Sequence, residues 1–193
     1  KKYLSKRVKR ILPMTKAEKY KAYLEEVKQF VSSDRIYTDD LHCLAWGTDA
    51  GFYREIPKIV IRSKNEEEVS KLMKLSSKYE LPVTFRAAGT SLSGQAITNS
   101  ILIVAGKNWE DYEVLEGGKK IVLQPGIIGS RVTEILKPYG RIFSPDPASK
   151  NSAMVGGIVM NNASGMNCGT HANSDRVLVS ARIVLADGTV LDT

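Results

Sequence analysis

The apolar positions of this chain change period along its length, and each change predicts an element. Tyr20, Tyr23, Leu24, Val27, Phe30 and Val31 recur at helical spacing behind Thr15-Lys-Ala-Glu18, which reads as a capping box. A helix is therefore expected from residue 15 to about 32, its stripe packed on the body. Residues 34–56 show no sustained period and read as a loop with short extended pieces. Lys58-Ile-Val-Ile-Arg62 is a strand. Ser63-Lys-Asn-Glu66 looks like a second capping box, and Val69, Leu72, Met73 and Tyr79 give a helical face to about residue 80. Leu81-Pro82 breaks that helix. Residues 82–86 and 100–104 are two further strands. Strand, helix, strand in succession implies a parallel pairing with a right-handed crossover.

From Lys107 the texture changes. Tyr112-Glu-Val-Leu115 and Lys120-Ile-Val-Leu-Gln124 flank Gly117-Gly118 as a hairpin. A short helix from Ser130 to Leu136 closes near Gly140. Residues 144–174, rich in Gly, Asn, Ser and Pro, carry no period and read as one long loop. A strand over 177–185, the turn Asp187-Gly188 and Thr189-Val-Leu191 predict a second hairpin. The fold class is α+β: a small β-α-β unit followed by a more antiparallel one, with no internal repeat. The expected division is a basic helical arm (1–33), a first subdomain (34–106) and an incomplete second subdomain (107–193). The missing initiator Met and the ending just after a hairpin point to an N-terminal module cut from something longer.

Composition narrows the function. The 193 residues are 42% hydrophobic and 25% charged, the balance of a globular chain. No apolar run nears the ~20 residues of a membrane span, and no signal peptide is visible. The net charge of +7 is local, because residues 1–30 hold ten Lys/Arg against three Glu while the remainder is balanced. A nucleic-acid binder carries its basic stripe on the folded body, so nucleic acid is not expected as a partner. The arm suits docking to an acidic partner or peripheral association with a membrane surface. Cys43 and Cys168 are far apart and outside any CxxC pair, which fits a reducing, cytoplasmic setting. With only His42 and His171 besides, no metal site is expected.

The loop Arg86-Ala-Ala-Gly89-Thr90-Ser91-Leu92-Ser93-Gly94-Gln95-Ala96 joins two strands and is built of small residues. Such a loop can turn successive main-chain N–H groups inward as a nest for an anion, and Thr90, Ser91 and Ser93 add hydroxyls. A pyrophosphate suits it; a plain surface turn is the competing account. Gly89 and Gly94 have P-loop spacing, but Gln95-Ala96 stands where Lys-Ser/Thr is required, so a triphosphatase is rejected. GxGxxG is absent from the chain, which argues against a Rossmann site. Two further segments draw attention: Phe143-Ser-Pro145-Asp146-Pro147-Ala-Ser149 followed by Ser152-Ala-Met154-Val155-Gly156-Gly157-Ile158, and Asn161-Asn162-Ala163-Ser164-Gly165-Met166-Asn167-Cys168-Gly169-Thr170. A long irregular stretch inside a compact domain argues for a ligand. Apolar residues set among amides and hydroxyls suit a flat heterocycle with a polar edge.

In this order and spacing, with Leu185-Ala-Asp187-Gly188 closing the set, these motifs resemble the FAD-binding domain of the vanillyl-alcohol oxidase / p-cresol methylhydroxylase superfamily. Within it they are most similar to FAD-linked D-lactate and D-2-hydroxyglutarate dehydrogenases and the glycolate oxidase flavin subunit. Asp49-Ala-Gly-Phe-Tyr53-Arg-Glu-Ile-Pro57 resembles the opening segment of those enzymes, and the likeness runs over roughly residues 34–193. It implies a two-subdomain fold, truncated here at the C-terminus, and an FAD-dependent oxidation of a D-2-hydroxy acid with electrons passed onward. It implies that Ala88, Gly89, Thr90, Ser91 and Leu92, with Gly94 in the same loop, hold the pyrophosphate. Pro145, Met154, Val155, Gly156 and Gly157 would line the ribityl chain and flavin. Asn161, Asn162, Ser164, Gly165, Cys168 and Gly169 would continue along the ribityl and phosphates. Thr90 stands where covalent relatives carry a His, which implies non-covalent FAD. His171-Ala172 departs from the family's Tyr-Gly. The Asn-Asn-Ala-Ser-Gly-Met variant is similar to the branch fused to an iron–sulfur domain, a cluster that only a missing C-terminal part could hold.

Several residues keep two readings. Arg86 can meet a phosphate or form a salt bridge at a strand end. Asp146 between prolines reads better as a turn-former than a proton acceptor. His171 is a base or a structural residue, and Met154 lies against a ring or in a core. The catalytic residues and the electron acceptor are not identified; the base and substrate clamp are expected in a second domain. The alternative to an enzyme fragment is a non-catalytic interaction module whose basic arm docks an acidic partner.

Overall fold

In the computed structural model, residues 14–169 and 171–193 are described. Residues 1–13 of the expected basic arm lie outside them. Helix α1 (Lys16–Val27) starts at the expected capping box: Thr15 Oγ1 accepts from the Glu18 N–H, and Glu18 reaches back to the Thr15 N–H at 2.8 Å. The rest of the arm is a layer of the first core. Tyr23, Val27 and Val31 are at most 2% exposed and pack with Ile59, Ile61, Leu72, Ile101 and Ile103. The helical part of 1–33 thus belongs with the first subdomain, because its apolar stripe covers one face of a sheet.

That sheet holds β1 (Ile36–Tyr37), β2 (Ile59–Arg62), β3 (Val83–Arg86) and β4 (Ile101–Val104) in the order β1-β2-β4-β3. β1 is antiparallel, and the other pairs are parallel. The expected direct pairing of β2 with β3 does not form; β4 lies between them. The reason is its composition. Ile101-Leu-Ile-Val104 is buried at all four positions, which only a central strand covered on both faces can satisfy. Ile101 and Ile103 face α1 and α3 (Glu66–Tyr79). Leu102 and Val104 face Cys43 and Trp46 on the other side. Cys43 lies on α2 (Asp40–Ala45), a short helix inside the stretch read as loop, N-capped by Asp39.

α3 is capped by Asn65, whose Oδ1 accepts from the Glu68 N–H, two residues later than the Ser63 box predicted. Ser63 is buried and donates instead to the Val104 carbonyl. Glu68 is bound bidentately by Arg35 at 2.7 and 2.8 Å, in a pair that is mostly buried.

The hairpin β5 (Tyr112–Leu115) and β6 (Lys120–Leu123) forms as expected. With α4 (Gly129–Leu136) and α5 (Val155–Met160) it builds a separate core of Ile127, Val132, Leu136 and Val155. α5 corrects the reading of 144–174 as structureless. The predicted strand over 177–185 is also shorter: α6 (Ser174–Val177) comes first, and β7 is only Arg182–Val184, paired with β8 (Val190–Asp192). This hairpin lies against α3, where Ser70 Oγ donates to the Gly188 carbonyl and Arg182 pairs with Glu66. It therefore contacts the first unit, although it was assigned to the second.

Candidate functional site

The parallel strands β2, β4 and β3 end together, and the chain leaving β3 at Arg86 forms one wall of a cleft. Its other wall is α5 with Pro147 and Ser149. The cleft has a volume of about 350 Å³. From the first wall come Phe85, Ala87, Ala88, Gly89, Thr90, Ser91, Gln95 and Ala96. From the second come Ala153, Met154, Gly157, Ile158, Met160, Asn161 and Ala163. A more open hollow of about 540 Å³ adjoins it across Ala87, Ala88 and Met154 and carries Arg62 and Lys107.

Among the described residues no charged side chain lines the first cleft. What it offers an anion is main chain. Among the described residues, the N–H groups of Ala88, Gly89, Thr90, Ser91 and Leu92 donate to no protein acceptor. Five successive donors left free at the end of a strand, four of them on residues that line the cleft, are compatible with an anion nest. Gly89 (φ 73°) and Gly94 (φ 72°) supply the left-handed turns. Ser91 Oγ accepts from the N–H groups of Ser93 and Gln95 and fixes the far side of the loop. Across the gap, a Cβ on Gly157 would meet only the Ala87 Cβ, at 3.9 Å. The bare face of α5 at that point is what keeps the cleft open.

The expected site residues divide. Ala88, Gly89, Thr90, Ser91, Met154, Gly157 and Asn161 line the cleft together. Leu92 and Gly94 belong to the same loop outside the lining, Leu92 being 72% exposed. Val155 is 7% exposed and sits in the second core. Gly156 faces away from the cleft, where a Cβ would meet Pro125 at 2.6 Å, so it serves helix-to-hairpin packing. Gly165 lies on the main chain of Asp146, and the Asp146 N–H donates to the Ser164 carbonyl at 2.8 Å. Pro145 is buried in the same turn. Asn162 Oδ1 accepts from the Asp175 N–H. Cys168 is buried with its thiol on the Gly165 carbonyl, and Gly169 follows it in a left-handed turn. These residues shape the second wall from behind.

Arg86 forms no salt bridge at its strand end. It does not line the cleft, and no carboxylate lies within ion-pair distance among the described residues. Its guanidinium donates to the Thr48 carbonyl at 2.6 Å and lies 5.2 Å from the centre of the Trp46 ring. Asp146 is the turn residue it resembled. The Lys150 ammonium, aided by the Asn167 amide, holds its carboxyl below the ordinary range, so it is no proton acceptor near neutrality. Among the described residues no Asp, Glu, His or Cys lines the cleft.

Of the lining residues, Ser149, Ala153 and Ile158 lie in the candidate segments without an assigned role, and Phe85 and Met160 lie outside them. A signal existed: Met154, Gly157, Ile158 and Asn161 sit at i, i+3, i+4 and i+7, one face of a helix. Gly156-Gly157 masked it, because paired glycines read as loop.

Residues 57–193 match the family model described as FAD binding domain. The chain belongs to the FAD-binding domain family. Its curated relatives include D-2-hydroxyglutarate dehydrogenase of Haemophilus influenzae, 27% identical over 188 residues, an alignment covering 88% of this chain and 18% of that protein. Another is the glycolate oxidase subunit GlcD of Escherichia coli K12, 28% identical over 141 residues, or 72% of this chain and 28% of that one. Among solved structures, alkyldihydroxyacetonephosphate synthase superposes with a TM-score of 0.78 at 20% identity, covering 94% of this chain and 36% of that one. The fold is the FAD-binding fold of the vanillyl-alcohol oxidase type. The chain thus spans between about a fifth and a third of the length of these relatives.

The cleft fits the family's cofactor in kind. Free amides suit a pyrophosphate, and Met154, Gly157 and Ile158 give a flat, mostly apolar wall for a ring system. Among the described residues no group of three His, Cys, Asp or Glu could hold a metal ion, and no helix is long and apolar enough to cross a membrane.

Proposed function

We propose that this chain is the FAD-binding portion of a flavin-dependent oxidoreductase that oxidises a D-2-hydroxy acid of the lactate, glycolate or 2-hydroxyglutarate class and passes the electrons onward. The observation that carries the reading is the cleft between the loop Ala88 to Ser91, whose amides donate to no protein acceptor among the described residues, and the bare face of α5, in a chain of the FAD-binding family. The names of the curated relatives supply the substrate class. FAD, when bound, supplies the hydride acceptor; the protein's part is to grip, orient and screen it. Ala88, Gly89, Thr90, Ser91 and Leu92 hold the pyrophosphate through main-chain N–H groups. Met154, Gly157 and Asn161 face the ribityl and ring end. The FAD is held without a covalent bond, since Thr90 offers no nucleophile comparable to an imidazole. The cleft holds no group able to take the substrate's hydroxyl proton, so that group comes from elsewhere in the enzyme. The basic N-terminal residues support work on the cytoplasmic side, peripheral to an anionic membrane face.

The test uses the complete polypeptide. Added FAD should bind, and acid precipitation should release all of it into the supernatant. D-lactate, glycolate or D-2-hydroxyglutarate should then bleach the flavin absorbance anaerobically. A protein that binds no FAD overturns the cofactor reading, and yellow precipitate overturns the non-covalent one. Bound FAD that none of the three acids bleaches overturns the substrate class.

A further inference from the structure

The cleft explains how an anion is met but not what holds the amides in place. The loop carries two left-handed glycines and few side chains able to anchor it. One anchor stands behind it. Arg86, the last residue of β3, folds its guanidinium directly under Gly89: a Cβ there would come within 2.5 Å of Nη2 and 2.6 Å of Cζ and Nε. The same guanidinium donates to the carbonyls of Thr48 (2.6 Å) and Trp46 (3.4 Å) and stacks on the Trp46 ring. The Gly89 carbonyl in turn accepts from the Ala50 N–H at 3.0 Å. Segment 46–50 and the loop are therefore joined across one flat side chain. Its Nε is buried without a partner, as is Oδ2 of Asp49. A rigid fork with several donors can bridge two main-chain segments in this way, and an ammonium cannot.

We infer that Arg86 is a positioning residue: its guanidinium, wedged between Gly89 and the Trp46–Thr48 carbonyls, sets the direction of the Ala88–Leu92 amides and does not touch the pyrophosphate. This rests on the FAD reading for its consequence, though not for its geometry. It also assigns Gly89 a second requirement. Glycine is needed there for its positive φ and because the space a Cβ would fill is taken by Arg86.

The experiment is a double-mutant cycle of Gly89→Ala and Arg86→Ala in the complete polypeptide, read by FAD affinity and, without FAD, by thermal melting. Each single variant should weaken FAD binding by about tenfold or more. In the Arg86→Ala background, Gly89→Ala should cost several-fold less than in the native background, because the Cβ enters vacated space and only the strain of the positive φ remains. Arg86→Lys keeps the charge and loses the fork; it should bind FAD as weakly as Arg86→Ala, and salt should affect all variants as it does the native protein. Additive losses overturn the proposal. So does full affinity in Arg86→Lys with a flatter salt dependence in Arg86→Ala, the mark of a direct phosphate contact. If Arg86→Ala does not fold, Arg86→Lys carries the cycle. Coupled melting in a protein that binds no FAD supports the wedge and overturns the cofactor reading alone.

Discussion

The four-stranded sheet and the 144–174 segment reach fixed shapes by opposite means. The sheet is ordered by side chains. β4 sends Ile101 and Ile103 to one face and Leu102 and Val104 to the other, and all four are buried. The 144–174 segment is ordered by main chain meeting main chain. Gly165 lies on the Asp146 main chain, the Gly156 N–H donates to the Pro125 carbonyl, and the Ser174 N–H donates to the Ala163 carbonyl. Side-chain packing tolerates a swap of similar volume. A glycine contact with a carbonyl tolerates no side chain at all. The cleft lies on the border, with one wall hung from the sheet and the other from the glycine-built segment. Few large buried side chains hold the second wall, so it is the wall that opens at lower cost.

The largest effect should come from the sheet. Leu102→Ala removes a fully buried side chain at the centre of β4. It should cost about 4 kcal/mol, within the usual span of about 2–5 for such truncations. Unfolding in urea should stay cooperative with its midpoint lowered. A loss under about 1 kcal/mol, or one confined to 144–174, breaks the comparison, because β4 would then not be the element that orders the fold.

Gly165→Ala should cost less and act more narrowly. Its Cβ would overlap the Asp146 carbonyl oxygen, and φ is 131°. Strain of this kind costs about 1–3 kcal/mol. Hydrogen exchange should show faster exchange at amides such as Ala163 and Asp146, with those of Ile59–Arg62 and Ile101–Val104 unchanged. Equal loss in the sheet would mean that the two regions form one cooperative unit. FAD affinity should fall with the second wall, since Met154, Gly157 and Asn161 belong to it.

The same contrast decides how much was legible in the sequence. Period and capping exposed α1, α3, the hairpin β5–β6 and all three parallel strands, because each buries a regular apolar set. Strand order was not legible: β2, β3 and β4 look alike in isolation, and only full burial of Ile101–Val104 makes β4 central. The loop over 86–96 was legible as a run of small residues, and the structure brings Ala88 to Ser91 to the cleft. The partners of Arg86 were not legible, since Trp46 and Thr48 are some forty residues away and offer carbonyls, which no side-chain pattern records. Asn162, Ser164, Gly165 and Cys168 were grouped with the cleft by motif, yet their partners are their own loop and its neighbours.

The smallest predicted effect sharpens the comparison through acid. On the sheet side, Glu68 sits at the start of α3, clasped by Arg35 and by the Lys64 N–H. Burial pushes its carboxyl up, but the Arg35 and Lys64 bonds outweigh that and leave it below the ordinary 4.5. A carboxyl depressed in the folded state adds stability that is complete above the unfolded value and lost as pH falls through the folded one. The sheet region should therefore weaken below pH 4.5, and Glu68→Gln, which keeps one acceptor for Arg35, should cost about 1 kcal/mol at neutral pH and little in acid. Asp146 in the second region is also held down, by Lys150 and Asn167. In the Glu68→Gln variant the remaining acid sensitivity should thus appear in exchange at 144–174 and not at β2 or β4. If acid still loosens the sheet of that variant first, the Arg35–Glu68 pair is not what couples α3 to the sheet, and hydrophobic packing alone joins them.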